Sequence, residues 1–202
     1  MAVLCMVYGQ SGTGKSTSLR NFDPEEVAVI NVSGKPLPFR GSMKTYKSDN
    51  YLKIMSAIQQ TDRKSIVIDD ATYLMVNEFM KSTAVGYDKF DKIGKNFNAL
   101  LDMTAALPDD VVVYYIGHSE QEDDGRERFK TIGKMLDRYV TIEGKFPIVL
   151  KTVVQNGKYM FSTKNNGQDT VKSPMGMFES DLIDNDLKAV DTAIREYWGM
   201  SA

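Results

Sequence analysis

Residues 9–16 read Gly9-Gln10-Ser11-Gly12-Thr13-Gly14-Lys15-Ser16, a glycine-rich run that ends in a lysine and a serine. It follows the apolar run 2–8 and opens a short helical pattern, as a phosphate-binding loop between strand and helix requires. The glycines let successive backbone N–H groups curve around phosphates without Cβ clashes. By average residue frequencies, such a match arises by chance in a chain of this size at roughly one per cent. The stretch therefore predicts a P-loop that binds a nucleoside triphosphate.

The side chains of the loop have separate expected roles. Lys15 should reach the β- and γ-phosphates and act in catalysis, Ser16 should hold Mg²⁺, and Thr17 should donate to the α-phosphate. ATP or another nucleoside triphosphate, with Mg²⁺, is therefore the expected ligand pair. The residues predicted to bind it are Gly9, Gln10, Ser11, Gly12, Thr13, Gly14, Lys15, Ser16 and Thr17.

An acidic pair follows the apolar run Ser65-Ile66-Val67-Ile68. Asp69 stands where P-loop proteins carry a strand-end carboxylate for magnesium, a cation that takes oxygen ligands. Asp70 is the nearer candidate for polarising the attacking water. A turn-forming role for Asp70 stays equally open, since aspartate is common in turns.

The single histidine of the chain, His118, directly follows the apolar run 111–117. Open α/β sheets bind ligands at the carboxyl ends of their strands. This position favours a catalytic role in which His118 senses the γ-phosphate. A surface histidine that caps the strand is the alternative.

The wider pattern predicts the fold class. Short Val- and Ile-rich runs at 2–8, 27–32, 65–69 and 111–117 are typical of strands covered on both faces. Helical patterns separate them, at 15–21, 50–60 and 88–107. Such alternation predicts an α/β P-loop NTPase with a central, mostly parallel sheet flanked by helices.

The last third differs. Strand patterns at 146–153 and 158–163 surround Asn156-Gly157, which predicts an antiparallel hairpin, and a helical pattern covers about 184–198. We expect one domain over 1–202, with a nucleotide-binding core at 1–145, a hairpin extension at 146–178 and a C-terminal helix at 179–202.

Composition sets limits on function. The chain has 202 residues, of which 42% are hydrophobic and 26% are charged, as in an ordinary globular protein. Its formal charge of −2 gives the protein as a whole no electrostatic attraction for nucleic acid. The single cysteine, Cys5, excludes a disulfide framework within the chain and a multi-cysteine zinc cluster. The longest apolar run near the middle, 111–116, is too short to span a membrane, so we expect a cytoplasmic protein without a membrane partner.

Several segments together resemble the phage P-loop nucleotide-binding proteins, a family of RecA-core-like ATPases from bacterial viruses. They are the P-loop, the Ile68-Asp69-Asp70 strand end, the segment 87–94 entering a long helix, and the strand ending in Gly117-His118. The resemblance covers roughly 3–178. It implies a RecA-like core, ATP hydrolysis, a homo-oligomer, and action on single-stranded DNA with a single-strand-binding protein in recombination, annealing or replication.

The resemblance also implies that loop 119–132 is mobile and contacts DNA. Its cations and aromatic ring suit backbone contact and base stacking, which makes candidates of Arg126, Arg128, Phe129 and Lys130. Its carboxylates argue against a simple basic patch (Glu120, Glu122, Asp123 and Asp124). A solvated flexible loop without DNA is the alternative.

A basic residue near the end of the hairpin reaches a neighbouring subunit's nucleotide in RecA-like assemblies. The resemblance therefore implies that Lys164 or Lys172 acts in catalysis in trans, whereas ordinary surface lysines are the alternative. One departure concerns strand 27–32, which lacks the glutamate that usually orients the attacking water. Either Asp70 replaces it, or hydrolysis is slow, or the protein is chiefly a nucleotide switch.

Three functions compete. The first is a DNA-dependent ATPase, and the second is a nucleotide-dependent switch or assembly factor with little turnover. The third is a small nucleotide kinase, in which Arg126, Arg128 and Arg138 would form a lid. The segment 34–41, with two prolines and Phe39, predicts a rigid loop near the strand ends, at a base or an adjoining subunit, or a plain surface connection.

Overall fold

The structure, a computed structural model, describes residues 1–83, 86, 88–132 and 141–200. Within them the chain forms nine strands, which are β1 (Val3–Gly9), β2 (Val27–Asn31), β3 (Thr45–Lys47), β4 (Ser65–Asp69), β5 (Val112–Gln121), β6 (Glu127–Phe129), β7 (Ile148–Gln155), β8 (Lys158–Ser162) and β9 (Leu182–Asp184). The α-helices are α1 (Tyr51–Gln60), α2 (Thr72–Lys81), α3 (Asp88–Ala105) and α4 (Leu187–Trp198). Short 3-10 helices cover Ser16–Asn21 and Ile142–Lys145.

The sheet has the order β3-β2-β4-β5-β1-β7-β8-β9, and β6 pairs with β5 beside this path. Strands β3 through β7 in this order run parallel, whereas β8, β9 and β6 pair antiparallel with their neighbours. The parallel strands end at a common edge, where Gly9 is in register with His118, and Asn31 with Asp69. Four separate chain segments thus bring these residues to one edge of the sheet.

Both faces of the sheet are covered, which explains the unbroken apolar strands. Because successive strand residues point to opposite faces, Val113 and Tyr115 pack with the core beneath α1, α2 and α3. Tyr114 and Ile116 pack with the core beneath α4 and the first 3-10 helix. Cys5 is fully buried in this second core.

The α/β architecture with a mostly parallel sheet confirms the predicted fold class. The predicted hairpin is present, and its turn residues Asn156 and Gly157 have φ values of 51° and 77°, which suit a tight two-residue turn. The division at residues 145 and 178 stays a prediction. Among the described residues, no helix is long and apolar enough to cross a membrane.

The segment 119–132 departs from the predicted mobile loop. Strand β5 continues past Gly117 to Gln121, and its end pairs with β6, so that Ser119 faces Phe129 in register. Phe129 is 1% exposed, and its ring stacks on Phe97 at a centroid distance of 6.4 Å. The ring is therefore part of the core and is not presented for base stacking, because burial against α3 removes it from solvent.

Phe129→Ala tests this placement. We expect a loss of about 3–5 kcal/mol in the free energy of unfolding, because a large ring leaves a cavity in the core. The matched control is Arg126→Ala on the same hairpin, whose exposed side chain should leave stability nearly unchanged. Urea unfolding measures both. An unchanged midpoint for Phe129→Ala would mean that the ring is at the surface.

Candidate nucleotide-binding site

The P-loop takes its shape from its glycines and from β7. Gly12 and Gly14 have φ values of 80° and 90°, a backbone region that residues with a Cβ atom avoid. At Gly9 an added Cβ would lie 1.9 Å from Thr152 Oγ1, so the loop base packs directly on β7. Thr13 Oγ1 donates to the Gln10 carbonyl at 2.7 Å and lies 2.6 Å from Thr152 Oγ1. These contacts hold the loop in one conformation.

Lys15 lies at the centre of the loop. Its ammonium donates to the carbonyl oxygens of Gly9 at 2.9 Å and Gln10 at 2.7 Å, and the residue is 6% exposed. Burial lowers the pKa of Lys15, while the carboxylates of Asp70 and Asp69 oppose this shift. The buried cation thus lies near two carboxylates, so a polyanionic ligand would need a metal cation beside the carboxylates as well as Lys15.

Ser16 and Asp69 form the candidate magnesium site. Ser16 Oγ donates to Asp69 Oδ1 at 2.8 Å, and Asp69 is 3% exposed. Burial first, and then the nearby Asp70 charge, raise the pKa of Asp69 to about 6. Mg²⁺ usually keeps several waters and takes one or two carboxylates plus substrate phosphates, so this hydroxyl and carboxylate fit it.

Asp70 and His118, each expected at the end of an apolar strand, lie side by side at this edge of the sheet. Their side chains approach to 3.7 Å between His118 Nε2 and Asp70 Oδ1, and the Tyr73 ring lies edge-on to the imidazole at 5.6 Å. Burial first, and then the Lys15 cation, lower the pKa of His118, which favours a neutral imidazole. Asp70 has a φ of 60°, which is unusual for a non-glycine residue. Such strained conformations cluster at functional sites.

One cavity of about 820 Å³ joins these groups, a volume suited to a small-molecule ligand. Its lining comes from the P-loop and its helix, from the strand ends, and from the C-terminal extension: Ser11, Gly12, Gly14, Lys15, Ser16, Thr17, Arg20, Lys35, Pro38, Asp70, His118, Lys158, Tyr159, Asp184 and Asn185. Sequence reasoning missed Arg20 and the last four of these residues. The one available signal was the Asn156-Gly157 turn, which puts Lys158 and Tyr159 at a hairpin tip.

The loop after β2 reaches the cavity because Asn31 shapes it. Asn31 is buried at the end of β2, where RecA-like enzymes carry the water-orienting glutamate. Its amide donates to the Lys35 carbonyl at 2.7 Å and accepts from the Gly34 backbone at 2.8 Å. Within 34–41, Lys35 and Pro38 line the cavity. Asn31 therefore has a structural function here and carries no carboxylate for water.

The predicted trans residues lie away from the cavity. Strand β8 begins with Lys158 at the carboxyl edge and runs antiparallel to β7, so Lys164 lies beyond the opposite end of β8. Lys164 pairs with Asp181 at 2.6 Å. Lys172 is exposed, and its backbone pairs with Val149. Their action on a neighbouring subunit's nucleotide stays a prediction.

The remaining DNA-contact candidates lie on the β5–β6 hairpin. Arg126 pairs with Asp124 at 2.7 Å, and Arg128 pairs with Glu120 at 3.2 Å. Lys130 is exposed. The arginines thus have carboxylate partners within their own hairpin, which competes with phosphate contact. Arg138 lies outside the described residues, as does Tyr87, the first residue of the segment 87–94.

Comparison with known proteins decides the family. Residues 1–174 match the family described as AAA domain. The chain belongs to the AAA domain family. Membership agrees with the P-loop and with the mostly parallel sheet, and it makes this AAA domain a member of a nucleotide-binding ATPase family. None of the curated proteins compared with the chain matches it. The narrower phage family stays a prediction.

Proposed function

We propose that this AAA domain is a magnesium-dependent ATP hydrolase. The observation that carries the proposal is that Lys15, Ser16 and Asp70 line one cavity at one edge of the sheet, with the Asp69 carboxylate bonded to Ser16 behind it. Phosphoryl transfer needs positioned positive charge and an oriented nucleophile rather than covalent chemistry from the protein. Lys15 supplies the positive charge, and Asp70 orients the nucleophile.

The P-loop residues supply charge and position. The backbone N–H groups of 9–16 surround the phosphates, and the Lys15 ammonium exchanges its carbonyl partners for phosphate oxygens. Ser16 and Asp69 would hold Mg²⁺, which when bound neutralises charge on the β- and γ-phosphates. The short 3-10 helix Ser16–Asn21 makes the loop amides, rather than a long helix dipole, the main phosphate donors.

Asp70 acts on the attacking water, and His118 acts on the γ-phosphate. Asp70 carries a carboxylate at the cavity, where it accepts a hydrogen bond from the attacking water and raises its nucleophilicity. Neutral His118, 3.7 Å from Asp70, donates toward the γ-phosphate and so senses its presence. This assignment replaces the missing glutamate of β2 with a carboxylate on the next strand of the sheet.

The proposed ATPase predicts a defined magnesium dependence. We expect Ser16→Ala to lower hydrolysis roughly tenfold or more and to raise the Mg²⁺ concentration needed for half-maximal rate, because a metal oxygen ligand is lost. The control is Ser56→Ala on the exposed face of α1. Phosphate release measured against Mg²⁺ concentration tests both. Full activity in excess chelator, or a normal Ser16→Ala profile, would contradict the proposal.

The wider proposal is that the ATPase is a phage-type oligomer that acts on single-stranded DNA with a single-strand-binding protein. The resemblance supports it, together with exposed Lys130 on the hairpin that follows His118. Adding single-stranded DNA to the same assay tests it, with stimulation as the expected result. ATP binding without turnover, with or without DNA, would favour the nucleotide switch instead.

A further inference from the structure

Asn185 presents a buried carboxamide beside the P-loop. The residue is 2% exposed, and neither its Nδ2 nor its Oδ1 has a hydrogen-bond partner within the described residues. Buried polar side chains in native proteins are nearly always paired, so a fully unpaired amide calls for an explanation. A ligand that supplies both partners is one such explanation, and the cavity that Asn185 lines is the place for it.

The backbone fixes Asn185 against the phosphate loop. Its N–H donates to the Tyr159 carbonyl at 3.3 Å, and Arg20 Nη1 donates to its carbonyl at 2.5 Å. A Cβ added to Gly14 would lie 3.1 Å from Asn185 Oδ1 and 3.0 Å from Tyr159 Cδ1. The carboxamide and the ring therefore both contact the loop immediately before Lys15, next to the predicted phosphate position.

The two side chains offer complementary chemistry. Tyr159 is 50% exposed and lines the cavity, so a face of its ring is available for stacking on a base. A carboxamide carries a donor and an acceptor side by side, which matches the amino group and adjacent ring nitrogen of adenine. The corresponding edge of guanine carries two acceptors, N7 and O6, and leaves the acceptor of the amide unpaired.

We propose that Asn185 and Tyr159 form the base subsite of this nucleotide pocket and select adenine, with Asn185 reading the base edge and Tyr159 stacking on the ring. The inference rests on the proposed function, because the base belongs to the triphosphate whose phosphates bind at Lys15. In this proposal the β7–β8 hairpin, through Tyr159, and the turn before α4, through Asn185, determine which base is bound.

Asn185→Leu tests the reading of the base, because leucine keeps the branched shape of the side chain, has neither donor nor acceptor, and adds no charge beside the phosphates. Calorimetry would measure the affinity of ATP, GTP and inorganic tripolyphosphate, each with Mg²⁺. We expect the wild-type protein to prefer ATP over GTP by roughly tenfold or more, from the cost of one mismatched bidentate pair. Asn185→Leu should remove most of this preference and leave tripolyphosphate affinity unchanged, because the substitution is neutral. The control is Asn166→Leu, the same change at an exposed asparagine outside the cavity.

Tyr159 gives a second test that does not disturb a buried position. We expect Tyr159→Ala to weaken ATP and GTP alike by roughly tenfold, Tyr159→Phe to retain wild-type affinity, and neither to change tripolyphosphate binding. Equal ATP and GTP affinity in the wild type, or an ATP preference that survives Asn185→Leu, would overturn the base subsite alone. A failure of tripolyphosphate to bind as well would contradict the phosphate site and the proposed function, in addition to the base subsite.

Discussion

We expect Lys15→Ala to lower ATP hydrolysis by at least about a hundredfold, the loss typical when a positioned charge-stabilising group is removed from an active site. Lys15 is the cation at the centre of the P-loop, and Asp69 and Asp70 lie near enough to oppose the lowering of its pKa by burial. Without it, two carboxylates face the incoming phosphates with no buried ammonium between them. Phosphate release under saturating ATP and Mg²⁺ measures the effect.

The control for this variant is Lys47→Ala, which removes an exposed lysine from edge strand β3. Because Lys15 also donates to the Gly9 and Gln10 carbonyls, thermal unfolding should accompany the rate measurement. A folded Lys15→Ala protein that hydrolyses ATP at the wild-type rate would refute the phosphate site.

The second large effect concerns Asp70. We expect Asp70→Asn to reduce kcat by about 10²–10⁴-fold with little change in ATP affinity, because an amide cannot accept the proton of the attacking water. Asparagine tolerates the φ of 60° found at this position, so the fold should persist. Single-turnover hydrolysis and calorimetric ATP binding separate the two quantities.

The same substitution decides between the two roles left open for Asp70. A kcat close to wild type would leave Asp70 as a turn residue and would assign the water to another group. Asp70→Gly adds a check, since glycine relieves the left-handed backbone and should stabilise the fold while removing the carboxylate. A variant that is more stable but inactive would show that the carboxylate at position 70 is kept at a cost in backbone strain.

Sequence reasoning reached the elements whose signals are local. The parallel strands β1, β2, β4 and β5, with α1 and α3, follow from contiguous apolar patterns. By contrast α2, β3, β6 and β9 were not predicted, because the three strands have three residues each and their pairing comes from neighbours. Helix α2 had a usable signal in the spacing of Leu74, Met75 and Phe79, of which Leu74 and Met75 are buried.

For the site, local patterns of sequence were enough to single out the P-loop, the strand-end carboxylates and His118 as candidates. The P-loop residues are contiguous, and the others follow apolar strands whose carboxyl ends a parallel sheet brings together. Only the tertiary structure decided that Phe129 is core, that Lys164 lies away from the cavity, and that Asn185 contacts Gly14. These outcomes depend on strand direction and on packing between distant segments, which no local pattern of residues encodes.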